Sequence, residues 1–96
     1  VYNAYCYPNP IKTASGTIRV ETNAPSYIQL DIYNSAGYFI KKYSTDVAAS
    51  GFSITEWKLD TDNLESGIYF ARLEAKVNSD SQKSDHTQLI KIAIIK

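Results

Sequence analysis

The chain has 96 residues and sets ten Lys and Arg against ten Asp and Glu, so its formal net charge is zero. That balance argues against a general nucleic-acid binder, which needs a basic face to displace counterions from phosphates. Cys6 is the only cysteine, excluding an internal disulfide or a multi-thiolate metal centre, and no apolar run nears the roughly 20 residues that span a bilayer, so no membrane insertion is expected.

The length suits one domain over residues 1–96 with one core. Eleven Ile and eight Tyr stand against five Leu and no Met, and β-branched and aromatic side chains suit a pleated, half-buried surface. No window carries apolar residues at sustained helical spacing. The composition and patterning predict an all-β chain, and a valine start without any methionine predicts a segment excised from a longer precursor.

Seven strands are predicted between turn signals. The first runs from Tyr2 to Tyr7 and stops at Pro8-Asn9-Pro10, because neither proline can donate to a ladder. Ile11 follows the bend and is placed to staple it to the core. A polar turn from Lys12 through Gly16 leads to Thr17–Thr22, where Ile18 and Val20 alternate with Arg19 and Glu21. After Asn23-Ala24-Pro25-Ser26 the third strand, Tyr27–Tyr33, turns Ile28, Leu30 and Ile32 inward. Asn34-Ser35-Ala36-Gly37 is a hairpin connection, with Gly37 supplying positive φ. The fourth strand, Tyr38–Tyr43, alternates poorly and reads as an edge. A loop containing Ser50-Gly51 precedes Ser53–Leu59, with Trp57 and Leu59 inward. A polar crossing, Asp60–Ser66, is pinned by Leu64. Gly67–Lys76 and His86–Ile95 are the last two strands, and Asn78–Asp85 between them is expected to be a mobile loop.

Seven antiparallel strands at this spacing predict a β-sandwich of immunoglobulin type. Tyr69 stands near the start of the sixth strand, after the crossing, where a tyrosine corner lies: hydroxyl on upstream backbone, ring in the core. Tyr69, Ala71, Leu73 and Ala75 form the inward row. Without a disulfide, the sandwich is expected to rest on packing around Trp57, Leu59 and Tyr69. Gly67 is expected to hold a conformation, or permit a close approach, that a side chain disfavours.

Five motifs run in order through nearly the whole chain: Tyr7-Pro8-Asn9-Pro10-Ile11, Thr17-Ile18-Arg19-Val20, Ile32-Tyr33-Asn34-Ser35-Ala36-Gly37, Leu64-Glu65-Ser66-Gly67-Ile68-Tyr69-Phe70-Ala71-Arg72-Leu73 and Ile90-Lys91-Ile92-Ala93-Ile94-Ile95-Lys96. In this it resembles the C-terminal sorting domain of proteins exported by the type IX secretion system, and it is also similar to the immunoglobulin-like domain of the flagellar hook-capping protein. The resemblance implies a non-catalytic C-terminal domain of a larger secreted protein. Its partners would be a covalently linked upstream cargo and the sorting machinery or translocon, and its destination the cell surface or medium by way of the periplasm. Recognition is expected at the last strand and its neighbours, where a backbone edge invites strand addition. Gly67, Tyr69, Lys91 and Lys96 are the candidate recognition residues, the two lysines meeting acidic groups. Pro8, Asn9, Pro10, Gly37, Trp57 and Tyr69 are the structural ones.

Little else in the chain points to chemistry, and no cofactor is expected. A Cys6–His86 nucleophile pair would require the first and last strands to be neighbours; the plainer reading is a buried thiol and an exposed imidazole. Asp60-Thr61-Asp62-Asn63-Leu64-Glu65 lacks the glycine and the spaced glutamate of an EF-hand loop, leaving only a weak surface calcium site at Asp60 and Asp62 as an option. Tyr27, Tyr33, Tyr38 and Tyr43 lie on or beside one hairpin and could stack on sugar rings. The alternative function is therefore a carbohydrate-binding or spacer module of a secreted multidomain enzyme.

Overall fold

The computed structural model describes residues 3–48, 51–78 and 86–96. The expectations for Tyr2, for Ser50 and for the loop after Asn78 lie outside them. Seven strands follow in order: β1 (Asn3–Tyr7), β2 (Ser15–Thr22), β3 (Ser26–Asn34), β4 (Phe39–Val47), β5 (Ser53–Asp60), β6 (Gly67–Lys76) and β7 (His86–Ile94). All pairings between these strands are antiparallel. One sheet has the order β1-β2-β5 and the other β4-β3-β6-β7. The described residues contain no helix, and so none that could cross a membrane.

Period-two alternation turns one face of each sheet inward. Ile18 and Val20 on β2 meet Ile28, Leu30 and Ile32 on β3, Ala71 and Leu73 on β6, and Ile92 on β7, all fully buried. Thr61 carries polar atoms into this interior and satisfies them. Its amide donates to Ala14 O and its hydroxyl to Thr13 O, each at 2.9 Å, tying the crossing after β5 to the loop before β2.

Three expectations need correction. β4 continues four residues past Tyr43 to Val47. Its alternation is broken by a bulge, since Ile32 pairs with Lys41 but Tyr33 pairs with Phe39; the extra residue, Ile40, shifts the pattern and hides the strand's period. Gly16 belongs to β2 rather than to a turn, and it is the glycine that permits a close approach. A Cβ there would stand 2.5 Å from Ile11 Cδ1. Finally, Trp57 is not the centre of the core. It is half-buried on the edge strand β5 and stacks on Tyr43 of the facing edge strand, ring centroids 5.5 Å apart and 23° from parallel. An edge strand has no neighbour beyond it to complete the wall around a large ring.

Candidate functional site

The first site is built by Pro8-Asn9-Pro10-Ile11. β1 ends at Tyr7, and the chain crosses from the three-stranded sheet to the free side of β7 in the other. The Tyr7–Pro8 and Asn9–Pro10 peptide bonds are both cis. Asn9 then acts as a surrogate peptide. Its Nδ2 donates to Lys91 O at 2.8 Å and its Oδ1 accepts from Ala93 N at 3.0 Å. Ile11 continues the seam with backbone, donating to Ala93 O at 2.7 Å and accepting from Ile95 N at 2.9 Å. Its side chain is fully buried. The edge of β7 from Lys91 to Ile95 is therefore already paired, and the free edge expected on the last strand is absent there. Further along, Gln88 Nε2 donates to Ala4 O at 3.0 Å, joining β7 to β1. Gln88 was not among the candidates; at a half-buried strand position its sequence carries no signal for this contact.

The second site is the turn into β6. Tyr69 is buried and donates its hydroxyl to Glu65 O at 2.8 Å, which is the geometry of a tyrosine corner. Gly67 has φ 157°, in a region L side chains rarely adopt, while a Cβ there would meet open space. Its need for glycine is conformational and not one of crowding. Lys96 closes the same end: its amide donates to Ser66 Oγ at 2.8 Å and its Nζ to Asp62 O at 3.2 Å. Lys91 stands elsewhere, opposite Phe70 on the outer face of the four-stranded sheet. The four candidate recognition residues thus do not form one patch, and Tyr69 has its ring in the core. Gly37 has φ 88° and its amide donates to Asn34 O at 3.0 Å. Asn34 Oδ1 holds the same hairpin by accepting from Ala36 N and Tyr38 N, each at 3.0 Å.

The Gln88–Ala4 bond makes β1 and β7 neighbours, the condition that a Cys6–His86 pair requires, but the groups themselves are not set up for it. Burial pushes the Cys6 thiol up to about 11, the opposite of what a nucleophile needs. His86 Nε2 lies 3.3 Å from Gln88 Oε1. Asp60 Oδ1 accepts from Asp62 N at 3.3 Å, so the pair is engaged in its own turn. Among the described residues no group of three or more His, Cys, Asp or Glu side chains could hold a metal ion. The four hairpin tyrosines do not make one platform. Tyr43 turns inward and donates to Lys58 O at 2.9 Å, Tyr33 meets Phe39 edge-on at 5.9 Å, and Tyr38 is 72% exposed at the turn.

Two sheets in this order, with a tyrosine corner and no disulfide, define an immunoglobulin-like β-sandwich. Residues 5–90 match the secretion system C-terminal sorting domain, and the chain belongs to that type IX secretion family. Its fold is similar to part of the dimeric latent PorU of Porphyromonas gingivalis, with a TM-score of 0.68 and 17% identity over 96% of this chain and 9% of that one. It is also similar to part of a candidate beta-galactosidase from Bacteroides fragilis, with a TM-score of 0.51 and 18% identity over 94% and 16% of the two chains. The chain thus spans about a tenth and a sixth of the two proteins whose folds it shares. No curated protein matches it in sequence.

Proposed function

We propose that this chain is the address of a larger secreted protein. An upstream cargo reaches the periplasm, and the type IX machinery passes it across the outer membrane after reading the sandwich as a folded surface. The domain itself does no catalysis. The observation that carries this reading is the family match over residues 5–90, and the use made of its motifs supports it. Asn9 and Ile11 seal one edge of the sandwich, and Glu65 and Tyr69 lock the turn into β6. Both are devices for presenting one rigid shape, which a signal read as extended chain would not need. Lys91 contributes an exposed cation on the outer face, while Gly67, Lys96 and Tyr69 shape one end of the sandwich.

The test fuses the 96 residues behind a periplasmic reporter in a bacterium with an intact type IX system. Reporter on the cell surface or in the medium is expected, and its retention in the periplasm overturns the reading. The same fusion in a strain without the translocon should stay inside.

A further inference from the structure

Resting on the reading of a domain recognised as a folded surface, we propose that the partner adds a strand at the free edge of β4. The added segment is extended, places an apolar side chain in the mouth between β4 and β5, and sets a carboxylate opposite Lys42.

The backbone leads to β4. Ala93 presents both N–H and C=O away from β6, toward Asn9 and Ile11. Successive residues of a strand point these groups to opposite sides, so registers carry the parity across the sheet. Tyr69 and Ala71 face β7, Phe70 and Arg72 face β3, and Leu30 and Ile32 face β4. On β4, Lys41, Tyr43 and Thr45 then face β3, and Lys42, Ser44 and Asp46 face outward. Among the described residues, the outward backbone groups of Lys42 and Ser44 have no partner, whereas Asp46 O is approached only by Thr45 Oγ1 at 3.5 Å. Unpaired edge groups in a row are a template for another strand.

The side chains say which strand. At the Ile40 bulge the two sheets part around a pocket of about 300 Å³, lined by Ile40, Lys41, Leu59, Asp60, Asn63 and Leu64. An added strand would alternate, its inward residues entering this mouth over Leu59 and its outward residues flanking Lys42. Lys42 is exposed and makes no ion pair among the described residues. Asp31 is opposite it in register, but its Oδ2 accepts from Gln29 Nε2 and its Oδ1 is buried without a partner. Lys41 Nζ lies 5.1 Å over the Tyr43 ring at the lip of the mouth. Two adjacent lysines repel a basic strand from this edge and favour an acidic one, which is selection by charge.

Ser44→Pro removes one outward N–H and leaves the bonds of Tyr43 and Thr45 to β3 in place; proline is tolerated on edge strands when its position faces outward. In the export assay above it should lower surface reporter about tenfold, the loss expected for one edge hydrogen bond and an orphaned partner group. Leu89→Pro, the equivalent change on the open part of the β7 edge, should leave export unaltered. The reverse result, Leu89→Pro blocking and Ser44→Pro silent, overturns β4 as the site while the sorting reading stands. Failure of the unmodified fusion to leave the periplasm overturns both. If Ser44→Pro lowers the melting temperature of the purified domain, the double change Lys41→Glu with Lys42→Glu decides, since it leaves the backbone intact. It should also reduce export, and export equal to the parent's overturns the proposal.

Discussion

The flank formed by β1 and β7 and the flank formed by β4 and β5 are both places where the two sheets end. On the first, Asn3 Oδ1 accepts from Ala4 N, Gln88 bonds Ala4 O, and Asn9 and Ile11 take four backbone groups between Lys91 and Ile95. On the second, Tyr43 bonds Lys58 O and stacks on Trp57. Covering an edge removes it as a site for stray pairing. The difference teaches that a sandwich of this size can close one side with a short motif and leave the other with unpaired backbone.

Deleting the support shared by both flanks should have the largest effect. Tyr69→Ala is expected to cost about 3–5 kcal/mol, the range for a buried aromatic, with Tyr69→Phe costing about 1 kcal/mol for the corner bond alone; denaturant unfolding measures both. Next, Ile11→Ala on the closed flank should cost about 2–5 kcal/mol, and Trp57→Ala on the open flank no more than about 2 kcal/mol, because the indole is half-buried. A Trp57→Ala variant less stable than Ile11→Ala would break the comparison. Asn9→Ala removes two bonds from an exposed seam and should cost about 1–2 kcal/mol. Hydrogen exchange sharpens this: the Ala93 and Ile95 amides should be protected in the parent, the Lys42 and Ser44 amides should exchange fast, and Asn9→Ala should release Ala93. Smallest of all, Tyr43→Phe should cost about 1 kcal/mol or less, and equal costs for Asn9→Ala and Tyr43→Phe would show the flanks to be closed alike.

The strands were legible because alternation is local. Ile28, Leu30 and Ile32, or Tyr69, Ala71 and Leu73, announce a dry face with no knowledge of what covers it. The stop at Pro8 was legible for the same reason, since a residue without an N–H ends a ladder wherever it stands. The bulge at Ile40 hides the period at the start of β4, and its last residues were missed because Ser44-Thr45-Asp46 puts a polar residue on both faces ahead of Val47. Gly16 could have been read as a close approach, given a glycine ahead of an alternating strand, but only the position of Ile11 shows what approaches. The reading of the last strand as a free edge failed between Lys91 and Ile95 because the residue that occupies this stretch, Asn9, lies 82 and 84 positions from its partners.

Taken by itself, the sequence determined which segments are extended, which faces are apolar, where the chain must turn, and that Tyr69 closes a corner. These follow from side-chain volume, branching and missing donors within a few residues of one another. The tertiary structure alone decided which edges are paired and which are open, that Trp57 lies at a margin, and that Lys91 and Lys96 belong to different surfaces. Those outcomes depend on which strand lies next to which, and adjacency between distant segments is set by the joint packing of both sheets rather than by any local pattern.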